Sequence, residues 1–269
     1  MTHPVRSILV ATDLTDLTAR SDRAVDRALE LGREWNADVH VVHAIARDAP
    51  TTALDVRRVL PDPGAKASVS LPYGPAPKAI TDTARERDSD LVVTGVARYN
   101  DLGDYLLGTA VDHVVRNAPC PVLVVKQRAH GPYQRLLVAT DFSKGAKAAL
   151  LGAAALFPEA RLHLVHAYHV PFESRIKSED VREIARSEAQ QRLDALLADL
   201  SESVRGRVEP HLAAGEPGAV LDQVAREVWP DLVVIGARGV SGFVQAALGS
   251  VASTLLQRIP VDTLVIKEG

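Results

Sequence analysis

The sequence has one cysteine, no block of like charge and no apolar run of membrane-spanning length. Cys120 is the only cysteine in 269 residues, which excludes a disulfide framework or a cysteine-built zinc site within one chain. The formal net charge of −3, without a basic cluster, argues against nucleic acid as the main ligand. The first residues lack the pattern of a signal peptide, and no segment reaches the ~20 apolar residues that span a bilayer. We therefore expect a cytoplasmic protein that binds neither membrane nor nucleic acid.

An internal repeat organises the chain. The phrase LVATD ends at Asp13 and again at Asp141, and each copy is followed by a helical segment and a second similar strand, VHVVHA and then LHLVHA. From Gly74 onward the two halves match at one constant offset, which pairs Gly74 with Gly215. Coincidence does not produce so long a match, so the repeat indicates two copies of one domain.

Each half alternates five short apolar runs with segments of helical spacing. This alternation predicts an α/β fold in which a five-stranded parallel sheet is covered by helices, that is, a doubly wound domain. The glycine and proline of Gln127–Pro132 mark a linker. We therefore predict two tandem domains, at residues 1–127 and 133–269.

The most distinctive segment follows the predicted fourth strand of the second half, Leu232–Ile235. Gly236 and Gly239 come directly after it, and Gly249-Ser250 begin a segment of helical spacing. Glycine lets backbone N–H groups approach an oxyanion, and a helix N-terminus favours negative charge. The pattern predicts a phosphate site, although a tight turn and an ordinary helix cap would use the same residues.

A carboxylate is predicted at the same rim as this loop. In doubly wound sheets, ligands bind outside the carboxyl ends of the strands, where Asp141 and the glycine loop both fall. The carboxylate can accept from hydroxyl or amino groups while the loop holds phosphates. Together they suit a nucleotide.

These residues resemble the universal stress protein family in its tandem, two-domain form. The family's nucleotide-binding branch carries the motif G-x2-G-x9-G-[ST], which is complete here from Gly236 to Ser250. The phrases LVATD, LVHA and PDLVVIGARG are also similar to that family, and the resemblance covers nearly the whole chain twice. It implies a Rossmann-like fold of the adenine nucleotide alpha hydrolase-like type. It also implies a stress-response protein that binds ATP, ADP or AMP, with Mg²⁺ as an ion that could accompany it.

The resemblance implies a set of binding residues in the second half. Asp141 would be the polar anchor for adenine and ribose, and the glycine loop would surround the phosphates. The positions carried over are Ala139, Thr140, Asp141, Ala167, Ile235, Gly236, Arg238, Gly239, Gly249, Ser250 and Val251.

The first half departs from the motif. Arg98 stands where the second glycine belongs, and Asp101 and Asp104 fall in the spacer, where acids repel a triphosphate. We expect the first half to bind nucleotide weakly or not at all. Its weaker candidate positions are Asp13, Gly95, Gly108 and Thr109.

The histidines do not predict a metal site. His163, His166 and His169 recur every three residues, and residues three apart on a strand point to opposite faces. We expect them to be hydrogen-bonded or solvated, with His166 near the nucleotide.

No catalytic constellation accompanies the predicted site, so we predict a binding site and no catalytic residue. The favoured function is a regulatory or signalling module whose nucleotide state is sensed by an unidentified protein partner or by its own assembly. A slow ATP hydrolase and a nucleotide-free stress-induced scaffold are the alternatives.

The fifth strands bear on assembly. In the family these strands pair across a dimer, so Val122–Val125 and Thr263–Ile266 are expected to pair within this chain and make it a pseudo-dimer. A further homodimer stays open. Asp262 stands where the first half has Pro121, so the start of the second edge strand is less typical of the family, and the sequence does not indicate the consequence.

Overall fold

A computed structural model describes residues 3–14, 20–46, 51–58, 60, 62, 64–96, 98–99, 105–106, 109–170, 179–237, 255–256 and 259–267. These residues group into two compact units. Unit 1 holds the residues up to Pro132 together with residue 256 and residues 259–265, and unit 2 holds the rest. The late residues join unit 1 because the last strand of the chain pairs with a strand of the first half.

Unit 1 alternates strands and helices in the predicted order. Its elements are β1 (Ser7–Ala11), α1 (Arg20–Trp35), β2 (Asp38–Val42), α2 (Ala53–Arg58), β3 (Ala67–Ser70), α3 (Ala76–Glu86), β4 (Leu91–Gly95), β5 (Arg98–Tyr99), β6 (Tyr105–Leu106), α4 (Thr109–Asn117), β7 (Val122–Val125) and, from the end of the chain, β12 (Asp262–Ile266).

The sheet of unit 1 has the order β12-β7-β4-β1-β2-β3. The last five strands of that order are parallel, which confirms the predicted five-stranded sheet of the first half. Val10 on β1 pairs with Val41 on β2 and Val93 on β4, and all three side chains are fully buried. These apolar runs lack the alternation of a half-exposed strand because helices cover both faces of a parallel sheet.

The expected pairing of the two fifth strands is confirmed. β12 runs antiparallel to β7, with Leu264 opposite Leu123. Asp262 begins β12 and is 1% exposed, and its Oδ1 accepts hydrogen bonds from the backbone N–H groups of Lys126 at 2.7 Å and Gln127 at 2.9 Å. Its Oδ2 lies 3.8 Å from Nε of the buried Arg27. The residue without a predicted effect therefore joins the last strand to the end of β7.

The buried amine of Lys126 should give unit 1 a pH-dependent stability. Its Nζ donates to the carbonyl of Ile259 at 2.6 Å and lies 3.2 Å from the hydroxyl of Thr263. Burial lowers the pKa of Lys126 from 10.5 to about 7, and the charge of Asp262 opposes that shift. Between these values the unfolded chain holds a proton that the folded chain has lost, so the free energy of unfolding should rise with pH from about 7 to 10.

Urea unfolding across that pH range in the wild type and Lys126→Met measures this contribution. The rise should be smaller in Lys126→Met, which has no amine to titrate. The exposed Lys78→Met is the control and should keep the wild-type dependence. Identical pH profiles for Lys126→Met and the wild type would contradict the lowered pKa.

Unit 2 repeats the alternation. Its elements are β8 (Arg135–Ala139), α5 (Lys144–Leu156), β9 (Arg161–Tyr168), α6 (Glu179–Ala198), α7 (Glu202–Arg205), β10 (Val208–Ala214), α8 (Pro217–Val228) and β11 (Leu232–Gly236).

The strands of unit 2 have the order β10-β9-β8-β11 and run parallel where their registers are described. The order reverses between β8 and β11, as it does between β1 and β4 in unit 1, so each unit has the switch point where ligands bind in such sheets. Gly74 and Gly215 stand at matched positions before α3 and α8, with φ of 120° and 145°.

Among the described helices, none is long and apolar enough to cross a membrane.

Candidate functional site

The carboxyl ends of β8 and β9 form a rim in unit 2. Two hydrogen bonds, both made by the backbone of Thr140, join these two strand ends. The N–H of Thr140 donates to the carbonyl of Val165 at 2.9 Å, and its own carbonyl lies 2.8 Å from Nδ1 of His166. A carbonyl oxygen can only accept, so His166 Nδ1 carries the proton. Burial lowers the pKa of His166 below its ordinary 6.5, and the ring is therefore a neutral wall of the rim at pH 7.

Asp141, the predicted ribose anchor, is half-buried at this rim and shapes the turn into α5. Its Oδ1 accepts the N–H of Ser143 at 2.9 Å, and the hydroxyl of Thr140 accepts the N–H of Phe142 at 3.0 Å. Phe142 has a left-handed φ of 62°. Ser143 then caps α5 by accepting the N–H of Ala146 at 3.1 Å. The turn brings the carboxylate and the N-terminus of a helix to the same place.

Gly236 closes the rim from the neighbouring strand. Val234 pairs with Val138, so Gly236 lies level with Thr140 across the β8–β11 pair. A Cβ added at Gly236 would lie 2.9 Å from the carbonyl oxygen of Gly145 and 3.0 Å from its carbon. No side chain fits that distance, so the close packing of β11 on α5 is itself a reason for glycine here, separate from any approach to phosphate.

The structure brings together the described part of the predicted nucleotide set. Ala139 pairs with Val165 at the end of β8, Ala167 lies two residues further along β9, and the buried Ile235 precedes Gly236 on β11. The other predicted positions lie outside the described residues: Arg238, Gly239, Gly249, Ser250 and Val251.

The first half repeats the rim. Nδ1 of His43 lies 2.9 Å from the carbonyl of Thr12, whose N–H donates to the carbonyl of Val42 at 3.1 Å. Leu14 has a left-handed φ of 58°, as does the matched residue of unit 2, and Asp13 is exposed. The turn after the first strand is therefore a feature of both halves and does not separate a binding half from a non-binding one.

The loop after the fourth strand of unit 1 contains a strand pair that the sequence did not predict. Beyond Gly95 at the end of β4, β5 and β6 pair antiparallel as a two-residue ribbon. Thr109 begins α4, and Gly108 lies outside the described residues. The ribbon includes Arg98, which replaces the second glycine of the motif. Because β5 and β6 are hydrogen-bonded to each other, those backbone groups are not available to a phosphate.

A second group of polar side chains lies on β9 and β10, and sequence reasoning missed it. Nδ1 of His163 is 3.2 Å from Nε2 of His211 and 3.6 Å from Oε2 of Glu209. Burial lowers the pKa of His163 below its ordinary value. Comparison of the two halves could have found this group. Glu209 and His211 differ from their counterparts in the first half, which are Ser68 and Ser70.

Comparison with known proteins identifies relatives along most of the chain. The universal stress protein family matches residues 56–126 and 132–267. Universal stress protein Sll1388 of Synechocystis is 28% identical over 152 residues, which cover 50% of this chain and 98% of that protein. Universal stress protein E of Photorhabdus laumondii is 26% identical over 205 residues, which cover 71% of this chain and 65% of that protein. The crystal structure of a universal stress protein from Archaeoglobus fulgidus aligns with a TM-score of 0.68 at 20% identity, covering 99% of this chain and all of that one, and so shares its fold.

Proposed function

Since the chain belongs to the universal stress protein family, we propose that it binds an adenine nucleotide at the β8–β11 rim of unit 2 and acts as a regulatory or signalling module in the stress response. The observation that carries the proposal is the position of Asp141, one strand away from the glycine with which the motif Gly236–Ser250 begins. A carboxylate that can accept from hydroxyl groups and the first glycine of a motif suited to oxyanions thus flank one switch point.

The chemistry of the rim divides the nucleotide into two parts. Asp141 accepts hydrogen bonds from the ribose hydroxyls, and the backbone at Ala139 and Ala167 lies against adenine. The phosphates extend toward Gly236 and the loop after it, where backbone N–H groups and the hydroxyl of Ser250 receive them. ATP, ADP and AMP share the first part and differ in the second, so the loop is the element that distinguishes them, with or without Mg²⁺.

Unit 1 is proposed to bind nucleotide weakly or not at all. It shares the hydrogen bonds between the first two strand ends, but Arg98 replaces the second glycine of the motif, and β5 pairs with β6 at that place. Asp101 and Asp104 in the following spacer would repel phosphates.

The nucleotide released from the purified, denatured full chain tests the proposal directly. We expect adenine nucleotide at one equivalent per chain in the wild type. Gly239→Asp places a carboxylate in the phosphate loop and should weaken binding by more than about tenfold, equivalent to ~1.4 kcal/mol. Gly108→Asp makes the same glycine-to-aspartate change in unit 1, at the position that matches Gly249 of the motif, and should leave the bound amount unchanged.

The outcomes separate the alternatives. Full occupancy in Gly239→Asp together with loss in Gly108→Asp would show that unit 1, and not unit 2, binds the nucleotide. No released nucleotide and no binding of added ATP, ADP or AMP would contradict the proposal and favour a scaffold. Turnover of ATP with Mg²⁺, well above background and lost in Gly239→Asp, would add hydrolysis to binding.

A further inference from the structure

The His163 group of unit 2 has the geometry of a metal site. The register of the parallel pair β9–β10 places Glu209 opposite His163, and His211 follows two residues later on the same face of β10. One nitrogen of each histidine and one oxygen of the glutamate all lie within 4.8 Å of one another. Three side chains from two adjacent strands thus direct donor atoms at one point.

The first half contains the same histidine in a different setting. Its counterpart His40 lies between two hydroxyls, with Nδ1 2.6 Å from Ser68 Oγ and Nε2 2.8 Å from Ser70 Oγ. Because a hydroxyl can donate or accept, these two serines satisfy both ring nitrogens of a neutral imidazole. In the first half, hydrogen bonds to two serines are therefore enough to accommodate this buried histidine in the sheet.

The second half carries side chains that can bind a metal where the first half has the two hydroxyls. Glu209 stands in place of Ser68 and His211 in place of Ser70. The two facing nitrogens can share only one proton, so one imidazole presents a lone pair to the group. A cation that accepts lone pairs from both nitrogens and the carboxylate would satisfy all three side chains at once.

We propose that His163, His211 and Glu209 bind a divalent transition-metal ion, Zn²⁺ foremost. Zn–N bonds of about 2.0–2.1 Å at tetrahedral angles separate two ligand nitrogens by roughly 3.3–3.4 Å. The two histidine nitrogens are already 3.2 Å apart, and the carboxylate oxygen is 3.6 Å from the first of them. Two imidazoles with one carboxylate suit zinc and its neighbours in the first row, whereas Ca²⁺ and Mg²⁺ require oxygen ligands.

The surroundings give an ion access from solvent. His163 and Glu209 line an open cavity of about 610 Å³. The side chain of Glu209 is 49% exposed, which leaves room for water as a further ligand. The charged residues of the cavity are two arginines and three glutamates: Arg135, Arg161, Glu159, Glu209 and Glu227. Because Arg135 is also paired with Asp231 at 3.1 Å, the lining does not oppose a divalent cation.

The repeat supplies the test variant. Glu209→Ser with His211→Ser converts the group to the arrangement around His40, which folds in the first half of the same chain. Chelator-treated full-length protein is titrated with ZnCl₂ in competition with a chromophoric chelator. The wild type should bind one Zn²⁺ at this group, and the double variant should lose more than about tenfold in affinity, since changing even outer-shell partners costs that much.

Two further measurements do not depend on the variant. Co²⁺ added to the wild type should give the intense visible absorption of a four-coordinate site with nitrogen and oxygen ligands. Zn²⁺ should raise the melting temperature of the wild type by mass action and leave that of the double variant unchanged. His130→Ser changes an exposed histidine outside the group and should behave as the wild type. Equal Zn²⁺ affinity in the wild type and the double variant, or a Co²⁺ spectrum of the weak octahedral type, would overturn the proposal.

Discussion

Replacing Asp262 with alanine is expected to lower the free energy of unfolding of unit 1 by about 3–5 kcal/mol, because it removes one partner from a buried group of charges. Asp262 and Arg27 are each 1% exposed, and the carboxylate also accepts two backbone N–H groups at the end of β7. Without it, those N–H groups lose a buried acceptor and Arg27 loses the nearest negative charge of β12. Arg27 keeps Glu30 at 2.7 Å and the carbonyl of Gly131 at 2.8 Å, so the loss is large but not total.

Urea unfolding followed by tryptophan fluorescence measures this change within unit 1. Of the two tryptophans, Trp35 is 7% exposed in unit 1, whereas Trp229 of unit 2 is 72% exposed, so the environment of Trp35 should dominate the signal. Asp262→Asn keeps an oxygen acceptor without the charge and should give an intermediate loss. Glu86→Ala removes an exposed acid at the end of α3 in the same unit and should stay within about 1 kcal/mol of the wild type. Asp262→Ala within that same range would show that the buried charges do not depend on one another.

The features that the sequence predicted are those set by local pattern and repetition. Buried parallel strands require continuous apolar runs, and runs such as Val122–Val125 are visible without knowing their neighbours. The pairing of the two fifth strands could be predicted because the repeat supplied two copies of one strand. The turn at Asp141 could be located because it ends a strand at the switch point.

The features that the sequence did not predict depend on register. Asp262 is three residues before Val265, but its acceptor role arises only when β12 runs antiparallel to β7 with Val265 opposite Val122. The metal group depends likewise on Glu209 lying opposite His163 across β9–β10. Spacing along one strand suggested that its histidines diverge, and no spacing along one strand can show a ligand on the next.

Substituting Gly236 with alanine should distinguish two possible requirements for glycine at this position: the close packing of β11 on α5 and the approach of a phosphate. The added Cβ would lie 2.9 Å from the backbone of Gly145, and backbone cannot move aside as a flexible side chain can. We expect a loss of about 1–3 kcal/mol in protein freed of small ligands, the usual cost of overpacking. Faster amide hydrogen exchange in α5 and β11, measured by mass spectrometry, should localise that loss to unit 2.

Gly64→Ala is the matched control for this substitution. Gly64 is exposed, and a Cβ added there would lie 3.4 Å from Oδ1 of Asp62, which is an ordinary van der Waals contact. A new methyl group is therefore accommodated. Its melting temperature and exchange should stay near those of the wild type. If Gly236→Ala loses nucleotide but keeps wild-type stability and exchange when ligand-free, the glycine serves only the approach of phosphate. If stability falls without ligand, as the distance to Gly145 predicts, the first residue of the motif is fixed by the packing of β11 on α5, and selectivity for phosphate rests on the residues after it.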